Sequence, residues 1–340
     1  MPIHFGSNIR ALLLALGFLW GLTGSLVAEE KPPAPANSGP FVFAYFNTGN
    51  AGESQGLQYA WSRDGYKWTA LASPNGTFLK PEVGGKLLRD PSIVQAPDGI
   101  FHMVWTTDWF RHGIGSSYSK DLLHWSPQEY LDVMQDFPGT VNCWAPEIFY
   151  DAPSQTYLIY WASTIPGKFP DTEPTGEEFK QFGTRASHRI YVTTTQDFKK
   201  FTPTQLLYDN GYNAIDAFIV ADPEHSRYVM IIKDETAYPT AKKNLRLAFA
   251  KTPLGPWSPS TTPFSPDWVE GASVLKVGNE WLVYYDAYTR HRYEGQKTTD
   301  LENWQSITDK LTMPTGMRHG TPLPVTEVIL QGLLSSSKAP

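Results

Sequence analysis

The sequence holds one cysteine, Cys143, in 340 residues. That excludes an internal disulfide framework and a cysteine-ligated zinc site. Beside Trp144, Cys143 reads as a small buried apolar residue. Charge is sparse and slightly acidic, 28 basic against 34 acidic side chains for a net −6, which offers nothing to attract nucleic acid. No window keeps a helical period over three turns. What is abundant instead is turn formers, 28 Pro and 27 Gly, together with 12 Trp, 17 Tyr and 18 Phe. Such a chain is too aromatic to stay disordered and long enough to bury a core. It predicts short strands, many turns, and rings left over to face a planar ligand.

The first 28 residues stand apart. Arg10 precedes an apolar stretch, Ala11–Leu22, and small residues through Ala28 lead to Glu29-Glu30. This reads as a secretory signal peptide, because a membrane span needs about 20 apolar residues. An uncleaved N-terminal anchor is the alternative. The expected organisation is a signal peptide at 1–28, a Pro-rich linker at 29–39, one domain at 40–328 and a tail at 329–340. After cleavage no span remains, so the protein is expected to be exported (periplasmic or extracellular) and monomeric.

The domain repeats itself. Ser62-Arg-Asp-Gly-Tyr-Lys-Trp68, Ser119-Lys-Asp-Leu-Leu-His-Trp125, Thr195-Gln-Asp-Phe-Lys-Lys-Phe201, Lys251-Thr-Pro-Leu-Gly-Pro-Trp257 and Thr298-Thr-Asp-Leu-Glu-Asn-Trp304 share one pattern. Each is preceded by a strand-like segment, so the unit is a strand, an Asp-capped turn and an aromatic that opens the next strand. Between them lie apolar hairpins that begin at Asp90, Trp144, Asp216 and Glu270. Hairpin plus strand–turn–strand makes a four-stranded blade, and the fold class is all-β, a five-bladed β-propeller. His319–Val325 has no partners after it, and Phe41–Phe46 has no innermost strand before it. The C-terminal strand is therefore expected to join the N-terminal strands and close the ring, hiding both sheet edges. Pro322 and Pro324 fit such a strand only if their missing N–H positions face the channel.

Innermost strands surround the channel, so their starts converge at one mouth. Aligned on Val94, Val220 and Val274, the acids Asp90, Asp216 and Glu270 occupy one position. Pro146 takes that place in the remaining hairpin, with Glu147 a step later, and His319 opens the closing strand. Acids at strand ends are often there only for solvation, which explains one of them but not the recurrence. Clustered carboxylates suit glycoside hydrolysis, which needs one protonated to serve the leaving oxygen and one ionised to activate water. A third charge nearby raises the donor's pKa.

With these residues the chain resembles glycoside hydrolase family 43, the five-bladed propellers that include α-L-arabinofuranosidases, β-xylosidases and arabinanases. The resemblance covers roughly residues 41–325 and rests on Arg89-Asp90-Pro91-Ser92, Trp144-Ala145-Pro146-Glu147, Asn213-Ala214-Ile215-Asp216, Val269-Glu270-Gly271 and Arg318-His319-Gly320. It implies that Asp90 is the general base, Glu270 the general acid and Asp216 the residue that orients the acid and tunes its pKa. It also implies an inverting mechanism. Ala217 and Ala272 stand where the family often has Pro. No cofactor is required. His319 resembles a channel histidine that in some members helps hold a cation through water, so a Ca2+ in the channel is one option. A hydrogen-bonded structural histidine is the commoner case.

Loops between second and third strands should rim the pocket: Asn47–Gly56, Thr106–Gly113, Ala162–Ser187, Lys233–Asn244 and Asp286–Arg290. Trp109, Phe110, Trp144 and Tyr288 are candidates to stack on a sugar, with Glu147, Arg318 and His319 as polar contacts. Trp68, Trp125, Phe201, Trp257 and Trp304 should pack between blades. A poly- or oligosaccharide is the expected partner and an α-L-arabinofuranosidase the best single reading. A β-xylosidase or exo-galactosidase of the same fold, a sialidase, and a non-catalytic glycan-binding propeller are the rivals.

Overall fold

A computed structural model describes residues 39–48, 54–173, 187–237 and 239–337. The expected signal peptide, nearly all of the linker, and parts of the Asn47–Gly56 and Ala162–Ser187 loops lie outside the described residues. Five sheets carry the fold. Blade one combines β19 (Met317–Pro324), β1 (Phe41–Thr48), β2 (Ser54–Ser62) and β3 (Thr69–Ala70). Blade two is β4 (Arg89–Gln95), β5 (Phe101–Thr106), β6 (Ile114–Ser119) and β7 (Glu129–Leu131). Blade three is β8 (Trp144–Asp151), β9 (Thr156–Thr164), β10 (His188–Thr195) and β11 (Gln205–Tyr208). Blade four is β12 (Ala214–Asp222), β13 (Arg227–Asp234) and β14 (Asn244–Ala250); blade five is β15 (Glu270–Val277), β16 (Glu280–Ala287), β17 (Arg292–Thr298) and β18 (Gln305–Ser306).

The ring closes as expected, by antiparallel pairing of β19 with β1, Phe41 opposite Pro324 and Tyr45 opposite Gly320. The Val325 amide bonds to the Pro40 carbonyl at 2.9 Å. Alternation along the strand then turns the nitrogens of Pro324 and Pro322 to the channel side, where no ladder bond is lost.

Four blades have four strands and blade four has three. Its outermost segment still runs beside β14, with amides of Ser258, Thr261 and Phe264 bonded to carbonyls of Phe249, Leu247 and Leu245. Pro259, Pro263 and Pro266 interrupt it, since none can donate to a ladder.

The repeated turns fold as their sequence dictates. The carboxylates of Asp64, Asp121, Asp197 and Asp300 each accept from two amides two and three residues on, at 2.7–3.0 Å. The hydroxyls of Ser62, Ser119, Thr195 and Thr298 accept from the fourth residue, which in each turn has positive φ. Five apolar clusters fill the five gaps between neighbouring blades. Trp68 lies in one, and Trp125, Trp257 and Trp304 pack against three others, as expected. Phe201 is the exception, 36% exposed at the rim of blade three.

The expected tail is instead helix α1 (Glu327–Ser336). Thr326 caps it by accepting from the Ile329 amide, and Leu330 and Leu333 are fully buried in the cluster between blades one and two. Ten residues make fewer than three turns, too few for a periodic signal. Among the described residues no helix is long and apolar enough to cross a membrane.

Candidate active site

Each innermost strand begins with a bulge. The register slips between Arg89 and Ser92, Trp144 and Glu147, Ile215 and Phe218, and Glu270 and Ser273, so two residues oppose one. The first bulged residue takes the left-handed conformation: Asp90 (φ 52), Ala145 (φ 45), Asp216 (φ 52) and Gly271 (φ 61). In β19 the unpaired residue is His319. This corrects the expected register. Asp90 and Asp216 are equivalent, whereas Glu270 stands one residue earlier, level with Arg89, Trp144, Ile215 and Arg318. Likewise Ala145, not Pro146, matches Asp90. The valine anchor misplaced blade five by one residue, because its bulge falls at Gly271 rather than Glu270. Gly271 is required there: a Cβ would lie 2.5 Å from the His319 ring.

The bulged residues form an inner ring. Asp90 accepts from the Thr106 hydroxyl at 2.8 Å, and His319 Nδ1 lies 3.5 Å from its other oxygen. The opposite nitrogen, Nε2, lies 3.6 Å from Glu147, which also takes the Ser92 hydroxyl. Burial alone would push the imidazole down, but contact with Asp90 and Glu147 and the charge of Asp216 raise it well above its ordinary value. His319 thus lies between two acidic side chains that favour its protonated form. Burial opposes ionisation of Asp90, yet His319 and Arg89 hold it below the usual carboxylate range. Glu147 goes up, chiefly by burial. Asp216 is pushed up to about 6, first by burial and then by the charges of Glu270 and Asp90. Its Oδ2 accepts from the Gly271 amide at 2.9 Å, which ties it to the residue after Glu270. One ring therefore holds one carboxyl biased toward ionisation and one biased toward protonation.

Outside this ring runs a row of alternating charges across three blades. Lys243 pairs with Glu235; Glu235 pairs with Lys233 at 2.7 Å; Lys233 pairs with Glu270 Oε2 at 3.0 Å. Arg318 meets Glu270 Oε1 at 3.1 Å and also pairs with Asp286. Burial pushes Asp286 up to about 6, with the Glu270 charge adding to it. A cleft of about 530 Å³ opens beside this row, lined among others by Asp286, Tyr288, Arg292 and Arg318.

An aromatic wall flanks the ring in blades two and three. Trp109 and Trp144 meet edge to face at 6.0 Å, and the Trp144 indole N–H donates to the Trp109 carbonyl. Arg89 lies over Trp109 at 4.5 Å, and Trp144 rests against the His188 ring at 4.9 Å. His188 is pinned between Asn142 and Asn213, and burial keeps it neutral by lowering it to about 4. Tyr288 lies under Lys233 at 5.1 Å, on the ion row rather than the wall. Phe110 is 61% exposed.

The structure thus brings Asp90, Glu147, Asp216, Glu270, Arg318 and His319 together. Sequence reasoning missed Lys233, Glu235, Asp286, Arg89 and His188. Lys233 had a signal: it ends the apolar run Tyr228–Ile232, and it lies inside β13, not in the loop expected to start there.

His319 Nδ1 faces Asp90 and Nε2 faces Glu147, so both nitrogens of the channel histidine meet acidic side chains. Among the described residues no three His, Cys, Asp or Glu side chains are grouped to hold a metal ion.

The chain is similar to known proteins. In the curated α-L-arabinofuranosidase of Bifidobacterium longum subsp. longum, 214 residues align at 21% identity, 58% of this chain and 20% of that protein. The chain thus spans about a fifth of that relative's length. A thermostable family-43 glycoside hydrolase superposes with a TM-score of 0.50 at 15% identity, over 67% of this chain and 74% of that one. An exo-β-1,3-galactanase from Phanerochaete chrysosporium gives 0.49 at 11%, over 70% and 52%. Residues 37–329 match the family model for glycoside hydrolase 43-related chains, described as a probable glycosyl hydrolase domain. With a match over most of its length, the chain belongs to the glycoside hydrolase family 43-related group.

Proposed function

We propose that this protein is an exported hydrolase that releases terminal sugars from plant-type poly- or oligosaccharide with inversion, and that it needs no metal. One observation carries the reading: the bulges of blades two and four put carboxyls of opposed protonation bias at one channel mouth, Asp90 lowered and Asp216 raised. Asp90 takes a proton from water while the water oxygen bonds the anomeric carbon from the face opposite the leaving group. Glu270 gives its proton to the departing oxygen as that C–O bond breaks. Asp216, bonded to the Gly271 amide, orients Glu270. His319 and Thr106 fix Asp90 for the attack. The wall of Trp109 and Trp144 offers ring faces for a sugar, where apolar C–H patches stack.

α-L-arabinofuranose is the first sugar to test, which the similarity to the Bifidobacterium enzyme supports. A panel of p-nitrophenyl glycosides, with product anomers followed by proton NMR, decides. Turnover with inversion is expected, and retention contradicts the mechanism. On a substrate with an alcohol leaving group, Glu270→Gln and Asp90→Asn should each lower kcat by 10²-fold or more. A fully active Glu270→Gln removes the assignment, turnover of sialosides favours the sialidase reading, and glycan binding without turnover favours a binding propeller.

A further inference from the structure

We infer that Lys233 is a positioning residue: it holds the Glu270 carboxylate at the mouth and, as a buried cation in contact with it, favours its ionised form. The inference rests on the role proposed for Glu270 and goes beyond it, because it assigns a part to Lys233, which the proposed reaction does not use. Lys233 Nζ is 3.0 Å from one oxygen and Arg318 3.1 Å from the other. Both cations are themselves anchored, Lys233 by Glu235 at 2.7 Å and Arg318 by Asp286. The Lys233 side chain is 1% exposed, so water does not screen it, whereas Arg318 is 27% exposed. Lys233 remains a cation because Glu235, Glu270 and Asp216 outweigh its burial.

The groups that face Glu270 come from every neighbouring element. Lys233 and Glu235 lie in and just after β13, Asp216 in β12, Asp286 in β16 with Tyr288 after it, Tyr293 in β17, and Arg318 in β19. Of these Lys233 is the buried cation in direct contact. A nearby cation favours a carboxylate, so taking it away favours the carboxylic acid. Glu235 acts in the opposite sense. It draws on the same ammonium, and Lys243 on its far side keeps it in place. The row is a balance in which Glu235 and Glu270 share one lysine.

The test reads the carboxyl itself. In protein carrying ¹³Cδ-labelled glutamate, the Glu270 resonance is identified by its loss in Glu270→Gln, and its pH midpoint is compared between variants. Lys233→Met is expected to raise the midpoint by about one unit or more, and Lys233→Arg to leave it within a few tenths. Glu235→Gln is expected to lower it, which supplies a second, opposite-signed reading if Lys233→Met does not fold. The alkaline limb of kcat/KM on an alcohol-leaving-group substrate should move in the same directions. A folded Lys233→Met with an unmoved midpoint, or Glu235→Gln with no downward shift, overturns the inference. An active Glu270→Gln would instead remove the catalytic reading while leaving the titration result standing, so the two failures are distinct.

Discussion

At the residue scale, the site depends on backbone that side chains rarely adopt. Gly271 sits at φ 61 against the His319 ring. Gly271→Ala should therefore lower the melting temperature, with a cost of about 2 kcal/mol, and displace His319 from Asp90. Thermal melts and the activity loss check it; an unchanged melt contradicts the packing. Asp216 gives a pH prediction with an unusual sign. Its folded-state pKa is raised to about 6, so the folded protein binds that proton more tightly than the unfolded chain. The contribution is full below the unfolded value near 3.9 and fades as pH rises through about 6. Asp216→Asn keeps an acceptor for the Gly271 amide and has no such loss. Above pH 7 it should be the more stable protein, by at most about 3 kcal/mol, with the gap closing at pH 4. Denaturant melts across that range decide. Asp90, Asp216, Glu270, Arg318 and His319 were legible because polar residues at strand starts interrupt an apolar pattern. The register of Glu270 was not, since a bulge adds a residue without any mark in composition. Lys233 was passed over because a lysine at a strand end looks like the first residue of a loop.

At the scale of elements, the Asp-capped turns were readable because their chemistry is local: hydroxyl, carboxylate and receiving amides lie within seven residues. Helix α1 was not, because its burial depends on a cluster formed by distant strands. It is tied to the first repeated turn by Arg63 and Glu327 at 2.6 Å, but both side chains are half exposed and such a pair contributes little. The weight falls on Leu330 and Leu333. Leu333→Ala should cost about 2–5 kcal/mol, seen as a lower denaturation midpoint, whereas Glu327→Ala should leave that midpoint nearly unchanged. Blade four makes the complementary point. Its outer segment has the spacing of a strand, but prolines limit it to three ladder-like bonds.

At the scale of the molecule, the five-fold plan and its closure followed from counting repeats, since a unit that cannot bury both faces alone must stack. What counting could not supply was which residues of neighbouring blades would meet. The ion row spans blades four, five and one, and no segment of sequence contains more than part of it. A chain truncated after Thr315 lacks β19, exposing the edge of β1 and opening the cluster that Leu323 and Val325 share with blade two. It should lose cooperative unfolding and become a protease substrate. A truncated protein that still melts in one sharp transition would contradict closure as the source of stability.

Closure also imposes an order in time. Arg318 and His319 both lie in the strand that completes the ring. A chain still being synthesised, or clipped before Met317, carries Asp90, Asp216 and Glu270 but lacks two of the cations that face them. Its acids have no common mouth to share, so the molecule becomes chemically competent in the same step in which it becomes whole.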